Sequence, residues 1–190
     1  MSSKDKIITL PNDHLHGRSK KVAGLSDEVA KVIEDMKSAT LEWEASRPHE
    51  VGVALAAIQI DQPYQIIIIR SDFDNKEDKT FAVFINPEIV KREGTVEEDY
   101  EGCLSVKDIY GKVPRHSKIR MKALDEQGRE VRVRAEGFLA RVIQHEVDHL
   151  KGKLFVDYLE DKPKAFYKLT PDGKLVSISY EDVQKTGIFR

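Results

Sequence analysis

Residues 144–150 read Gln-His-Glu-Val-Asp-His-Leu, in a segment that Gly137 precedes and Gly152 follows. Phe138, Leu139, Val142, Ile143 and Leu150 recur at helical spacing and make a broad apolar face. Arg141, Gln144, Asp148 and Lys151 make one polar stripe. The pattern predicts a helix with one side in the core, stopped by glycine. Residues four apart lie one above the other on a helix, so His145 and His149 can grip one metal ion from the same side. Glu146 falls about 100° round from His145. It is badly placed as a ligand but close enough to reach a water on the metal. A lone histidine here would read as a hydrogen-bonded core residue. Two histidines and a glutamate in this order read as a site for metal-assisted hydrolysis.

The rest of the chain has to build a domain around that helix. Its 190 residues suit one domain with a sizeable core. A formal net charge of -2 gives no electrostatic case for nucleic acid or an anionic membrane surface. No apolar run reaches transmembrane length. The N-terminal residues 1–10 lack a signal peptide's apolar stretch, and the single cysteine, Cys103, excludes an internal disulfide. Both observations predict a cytoplasmic protein. Residues 7–25 read as an irregular lead-in in which His14 and His16 are solvated. Ser26 caps a helix running to about Arg47, with Met36 and Trp43 as core contacts and Pro48 as its end. Residues 52–60, Gly-Val-Ala-Leu-Ala-Ala-Ile-Gln-Ile, are small and apolar, with Gln59 the only polar side chain. Ile66 to Ile69 form a strand buried on both faces, and Phe81 to Ile85 a second. Asn86-Pro87 bends the chain and Ile89-Val90 resumes it. Glu97-Glu98-Asp99 reads as a solvated turn. His116–Leu124 and Glu130–Ala135 alternate as two strands joined at Asp125–Gly128. Beyond the metal helix, Pro171-Asp172-Gly173 marks a hairpin, with a last helical turn at 181–186. Several strands and two main helices predict an α+β fold: mixed, mainly antiparallel sheets packed around a central metal-binding helix, with a second helix near the N-terminus.

An open hydrolytic site has three protein ligands, and the helix supplies two. The pattern His-x-x-Gly-x-x-His fails at its last position, which here is Phe155. Glu160 is the nearest downstream carboxylate, and Cys103 is the only thiolate. Residue types alone leave these two open.

Three segments together resemble the signature motifs of the peptide deformylase family: residues 52–59 (Gly-Val-Ala-Leu-Ala-Ala-Ile-Gln), 101–105 (Glu-Gly-Cys-Leu-Ser) and 144–150. Their order fits, as do Val113-Pro114-Arg115, Gly152-Lys153-Leu154-Phe155, and Pro11, Leu15 and Val22 in the lead-in. The resemblance covers roughly residues 7–160. Two departures stand out. The family motif usually has glycine where this chain has Ala54, and better-known bacterial members often end in a helix where 161–190 reads as a hairpin and tail.

The resemblance implies one catalytic domain over 1–190, with 161–190 a divergent C-terminal extension. It implies an enzyme of N-terminal processing in protein biosynthesis, which removes the formyl group from formyl-methionyl nascent peptides, with the ribosome as its place of work. Cys103, His145 and His149 would hold one divalent ion, Fe(II) natively, with zinc, nickel or cobalt able to replace it. Water on that ion would attack the formyl carbon, with Glu146 as general base and then acid. Gln59 and the Leu104 backbone N–H would hold the oxyanion. Substrate would lie extended beside Gly52, Val53 and Ala54 on one side and Gly102 on the other. Its first side chain would enter a pocket lined by Val53, Phe138 and Val142, with Arg141 at the rim. Glu101 and Arg115 would pair to shape the Cys103 motif. No direct nucleic-acid contact and no membrane contact are expected, and the chain would be a monomer or weak homo-oligomer.

Overall fold

The computed structural model describes residues 3–47 and 49–189. α1 spans Asp27–Ala45, and Ser26 caps it by accepting a hydrogen bond from the Val29 N–H at 3.3 Å. The expected stop at Pro48 lies outside the described residues. Three strands follow: β1 (Ala54–Ala56), β2 (Ile66–Arg70) and the long β3 (Phe81–Cys103). β4 (Val106–Leu124) folds back along β3, and β5 (Glu130–Glu136) leads directly into α2 (Gly137–His149). The chain then forms β6 (Phe166–Leu169), β7 (Leu175–Ser177) and α3 (Tyr180–Lys185). The strands make one sheet in the order β1-β2-β3-β4-β6-β7, with β5 also on β4, and every ladder is antiparallel. The fold class is α+β with a mainly antiparallel sheet, as the sequence predicts.

β2 explains why two helices are needed. Successive strand side chains point to opposite faces. Ile66 and Ile68 pack with Val32, Ile33 and Met36 of α1, while Ile67 and Ile69 pack with Ile143 and Val147 of α2. All four isoleucines are fully or almost fully buried. At ~1.5–3 kcal/mol for each buried side chain, the sheet has no face to leave in water. A third cluster joins Leu15, Val106, Ile109 and Phe155 to Phe166 and Val183 of the C-terminal elements.

Two sequence expectations need correction. The run Glu97-Glu98-Asp99 is no turn: it lies in β3, exposed, paired with Arg115, Pro114 and Val113 of β4. That part of the ribbon has an open face, so its strand carries charges that locally resemble a turn. Likewise, the bend at Asn86-Pro87 is a bulge inside one strand. Asn86 takes φ 52°, and the register shifts between Ile85 and Glu88, where proline cannot donate to a ladder.

α2 ends where the sequence places its stop. Gly152 has φ 73°, and a Cβ there would lie 2.2 Å from the His16 carbonyl oxygen. The glycine therefore lets the lead-in cross beneath the metal helix.

Candidate metal centre and cleft

Cys103 closes β3, Leu104 and Ser105 make the turn, and β4 begins at Val106. That turn is set against the inward face of α2. His149 Nε2 lies 3.2 Å from His145 Nε2 and 3.3 Å from Cys103 Sγ. One ligand atom from each of the three residues falls within 4.8 Å of the other two, and this is the only such cluster found among the described residues. Zinc-like bond lengths of about 2.3 Å to sulfur and about 2.0–2.1 Å to imidazole put tetrahedral ligand atoms about 3.3–3.6 Å apart. The observed spacings fit one ion.

The surrounding hydrogen bonds prepare those donors. His145 Nδ1 donates to Glu101 Oε2 at 2.9 Å, which leaves the Nε2 lone pair facing the centre. Glu101 also receives Arg115 Nε at 2.8 Å, Arg115 Nη2 at 3.0 Å and Arg141 Nη1 at 2.9 Å. Burial opposes its charge, but the His145 and Arg115 donors outweigh this and hold its carboxyl at about 2. Arg115 Nη1 reaches Asp148 Oδ2 at 2.5 Å, and the Tyr158 hydroxyl donates to the same oxygen at 2.7 Å. Burial, with the Arg115 charge nearby, keeps His149 in its neutral form, the form that ligates.

Glu146 is 4% exposed, and its Oε2 has no hydrogen-bond partner among the described residues. Burial, with a smaller push from Glu101 and against the pull of His145 and Arg115, raises its carboxyl to about 7. A carboxyl tuned to neutrality is suited to take a proton and return it.

Gln59 sits beside this group. The Ala56 N–H donates to its Oε1 at 2.8 Å, and a backbone N–H can only donate. The amide NH2 therefore faces Ser105 Oγ at 3.1 Å and Cys103 Sγ at 3.4 Å. A cleft of about 420 Å³ opens next to Glu146 and His145, bordered by Val53, Ala54, Glu101, Gly102 and Leu104 among others. Gly102 has no room for a side chain, since a Cβ there would lie 2.4 Å from the Tyr110 ring. Ala54, which stands where the motif usually has glycine, lies in β1 opposite Ile69 and is not among the positive-φ residues, so its methyl brings no strain.

Other sequence-predicted residues sit differently. Gly52 does not border the cleft; its N–H donates to Glu44 Oε2 at 2.9 Å, tying the start of β1 to the end of α1. Phe138 borders the cleft as expected but is half exposed there, and meets Phe73 edge-on at 5.1 Å. Val142 does line the cleft. Arg141 also borders it but is 7% exposed, with donors on the Val113 and Glu97 carbonyl oxygens as well as Glu101. It braces the β3–β4 ribbon instead of standing at a solvent rim. The polar stripe of α2 is accordingly buried at Arg141, Gln144 and Asp148. The Asp148–Arg115–Tyr158 link was not read from the sequence, although an aspartate between the two histidines on a core-facing helix was a signal for a buried partner. Glu160 is exposed and outside the cluster, so it gives no third ligand.

The layers and the site together define a class: an α+β hydrolase fold with a candidate centre for one metal ion on a buried His-Glu-x-x-His helix. A family profile described as polypeptide deformylase matches residues 4–165. A peptide deformylase of Polynucleobacter necessarius is 41% identical over 153 residues, covering 80% of this chain and 84% of the relative. That of Thermomicrobium roseum is 40% identical over 164 residues, 85% and 89% of the two chains. A crystal structure of the Synechococcus elongatus peptide deformylase with actinonin superposes with TM-score 0.74 at 35% identity, covering 82% of this chain and 80% of that one. The Acinetobacter baumannii class I type b enzyme with bound Met-Ala-Ser gives TM-score 0.70 at 32% identity, 80% and 96%. The chain belongs to the polypeptide deformylase family, a family of enzymes.

Proposed function

We propose that this enzyme hydrolyses the formyl amide of formyl-methionyl peptides and releases formate. The single observation that carries the proposal is the placing of the buried Glu146 carboxyl on the wall of a cleft beside the Cys103, His145 and His149 ligand atoms. The relative that holds Met-Ala-Ser supports the substrate class, because that tripeptide is what deformylation of formyl-Met-Ala-Ser leaves.

Cys103, His145 and His149 would hold a divalent ion, with Fe(II) the proposed native metal and zinc, nickel or cobalt as substitutes. Such an ion supplies Lewis acidity, polarising a carbonyl oxygen and lowering the pKa of water. The protein's own residues then do the rest. Glu146 takes the proton of the attacking water as its oxygen bonds to the formyl carbon. The Gln59 NH2 and the Leu104 N–H hold the oxygen on which negative charge develops. Glu146 passes the proton to the departing amine nitrogen as the C–N bond breaks. Val53, Ala54 and Gly102 flank the extended peptide backbone, while Val142 and Phe138 receive the first side chain. This activity, exercised on nascent chains near the ribosome, places the enzyme in the cytoplasm; no described helix is long and apolar enough to cross a membrane.

The test is formate release from formyl-Met-Ala-Ser, using protein purified without oxygen and loaded with Fe(II) or Ni(II). Glu146→Ala should bind the same amount of metal and lose roughly 10²–10⁴ in kcat. Activity of the variant within about tenfold of wild type would remove Glu146 from the mechanism.

A further inference from the structure

The β6–β7 hairpin lies beyond the segment that carries the family match, yet it borders the cleft. β6 is hydrogen-bonded to β4 at Ile109–Gly111, a few residues past the Cys103–Leu104 turn. In the hairpin register Leu169 stands opposite Leu175, and Lys168 opposite Val176. Side chains alternate between the two faces of a strand. Lys168 and Val176 face solvent, whereas Leu169 and Leu175 are half-buried and line the cleft. At the tip, a Cβ on Gly173 would lie 3.3 Å from the His49 imidazole. His49 belongs to the segment joining α1 to β1 and also lines the cleft. The hairpin therefore reaches from β4 across to the α1 side.

This wall is fixed in place. Phe166, at the base of β6, is fully buried and packs on the rings of Tyr180 and Phe189 at 5.9 and 5.6 Å. Tyr167 meets Tyr100 of β3 edge-on at 4.8 Å, and the Lys112 ammonium lies over both rings. Across the cleft, Arg47 pairs with Asp108 at 2.6 Å and with Glu50 at 3.0 Å, and Glu50 accepts from the Tyr110 hydroxyl. The walls facing the hairpin are thus tied to each other by charge. Two leucines held rigidly at such a place offer apolar surface to whatever leaves the catalytic end of the cleft.

We propose that the Leu169–Leu175 pair determines which peptides are accepted beyond the first residue, favouring apolar side chains at the second and third positions. The inference rests on the deformylase reading above. Neither leucine meets the reacting atoms, so the preference is carried chiefly by KM.

The experiment compares kcat/KM for formyl-Met-Leu-Leu and formyl-Met-Ser-Ser, in wild type and in Leu169→Ser/Leu175→Ser. Wild type should prefer the leucine peptide by roughly tenfold or more, and the variant by less than about threefold. A wild type without preference, or a folded variant that keeps all of it, overturns the proposal. Silence of wild type toward both peptides instead removes the deformylase reading, and the inference with it. If the double variant does not fold, product competition decides. Met-Leu-Leu should inhibit wild type roughly tenfold better than Met-Ser-Ser, and equal inhibition overturns the proposal.

Discussion

Glu101 does more than fill a motif position. It is 6% exposed and gathers donors from His145, Arg115 and Arg141, three groups on two different elements. Its charge sets the His145 tautomer, because a carboxylate accepts from Nδ1–H and so leaves Nε2 free to ligate. Glu101→Gln keeps the shape but removes the charge, leaving the buried Arg115 with Asp148 alone as an anionic partner. Breaking a buried pair from one side costs ~3–5 kcal/mol, and outer partners of a ligating histidine are worth roughly 10–100-fold in metal affinity. We therefore expect Glu101→Gln to be less stable to urea and to give up its metal to a competing chelator at roughly 10–100-fold lower chelator concentration. A variant whose metal affinity stays within about twofold of wild type would show that Glu101 does not orient the ligand.

At the scale of elements, the junction of α1, β1 and β2 is held by one carboxylate. Glu44 accepts from the Gly52 N–H at 2.9 Å, from Arg70 Nη2 at 2.5 Å and from Lys79 Nζ at 3.3 Å. Burial works against its ionised form, yet the Gly52, Arg70 and Lys79 partners win and lower its pKa below 4.5. A carboxylate with a lowered folded pKa stabilises the protein above its unfolded pKa, and this contribution is lost as pH falls through the folded value. Urea midpoints measured at about pH 6.5 and about pH 4 should therefore drop further for wild type than for Glu44→Gln. Parallel loss in both proteins would discard the idea. None of this was legible in the sequence, where Glu44 is one charge among several at the end of α1. What is legible is local: the unbroken isoleucine run of β2, the two-sided α2, the Ser26 cap, the Pro171–Gly173 turn. The ligand pair on α2 was readable because four residues make one helical turn, whereas Cys103 as their partner needed the family resemblance. A bulge or an open face hides the length of a strand from its sequence pattern, as at Asn86 and at 97–99. The stripe of Arg141, Gln144 and Asp148 carries no local mark of its burial, because burial of charge depends on partners far away in sequence, such as Glu101 and His116.

On the scale of the whole molecule, the candidate centre lies where the β3–β4 ribbon meets α2, beside the buried polar links that already join them. Cys103 comes from the tip of the β3–β4 ribbon, while His145 and His149 come from the helix packed on β1, β2, β5 and the far end of β4. The ribbon's tip and the C-terminal elements belong to one core cluster, and α2 belongs to another. An ion bound by both sides would act as a crosslink between these clusters, on top of the Arg115–Asp148 and Arg141–Glu101 pairs. A ligand that binds only the folded state adds about 2.7 kcal/mol at a hundred times its Kd, and a protein of this size loses about 2–4 °C of Tm for each kcal/mol. Removing the metal with a chelator should therefore lower Tm by about 5–10 °C, with the same loss by near-UV circular dichroism and by tryptophan emission from Trp43 on α1. Cys103→Ser, with one ligand weakened, should start from a lower Tm and respond less to the same chelator. If chelation strips the metal and abolishes formate release without moving Tm, the ion is catalytic only. The two clusters are then held together by their ion pairs and packing alone.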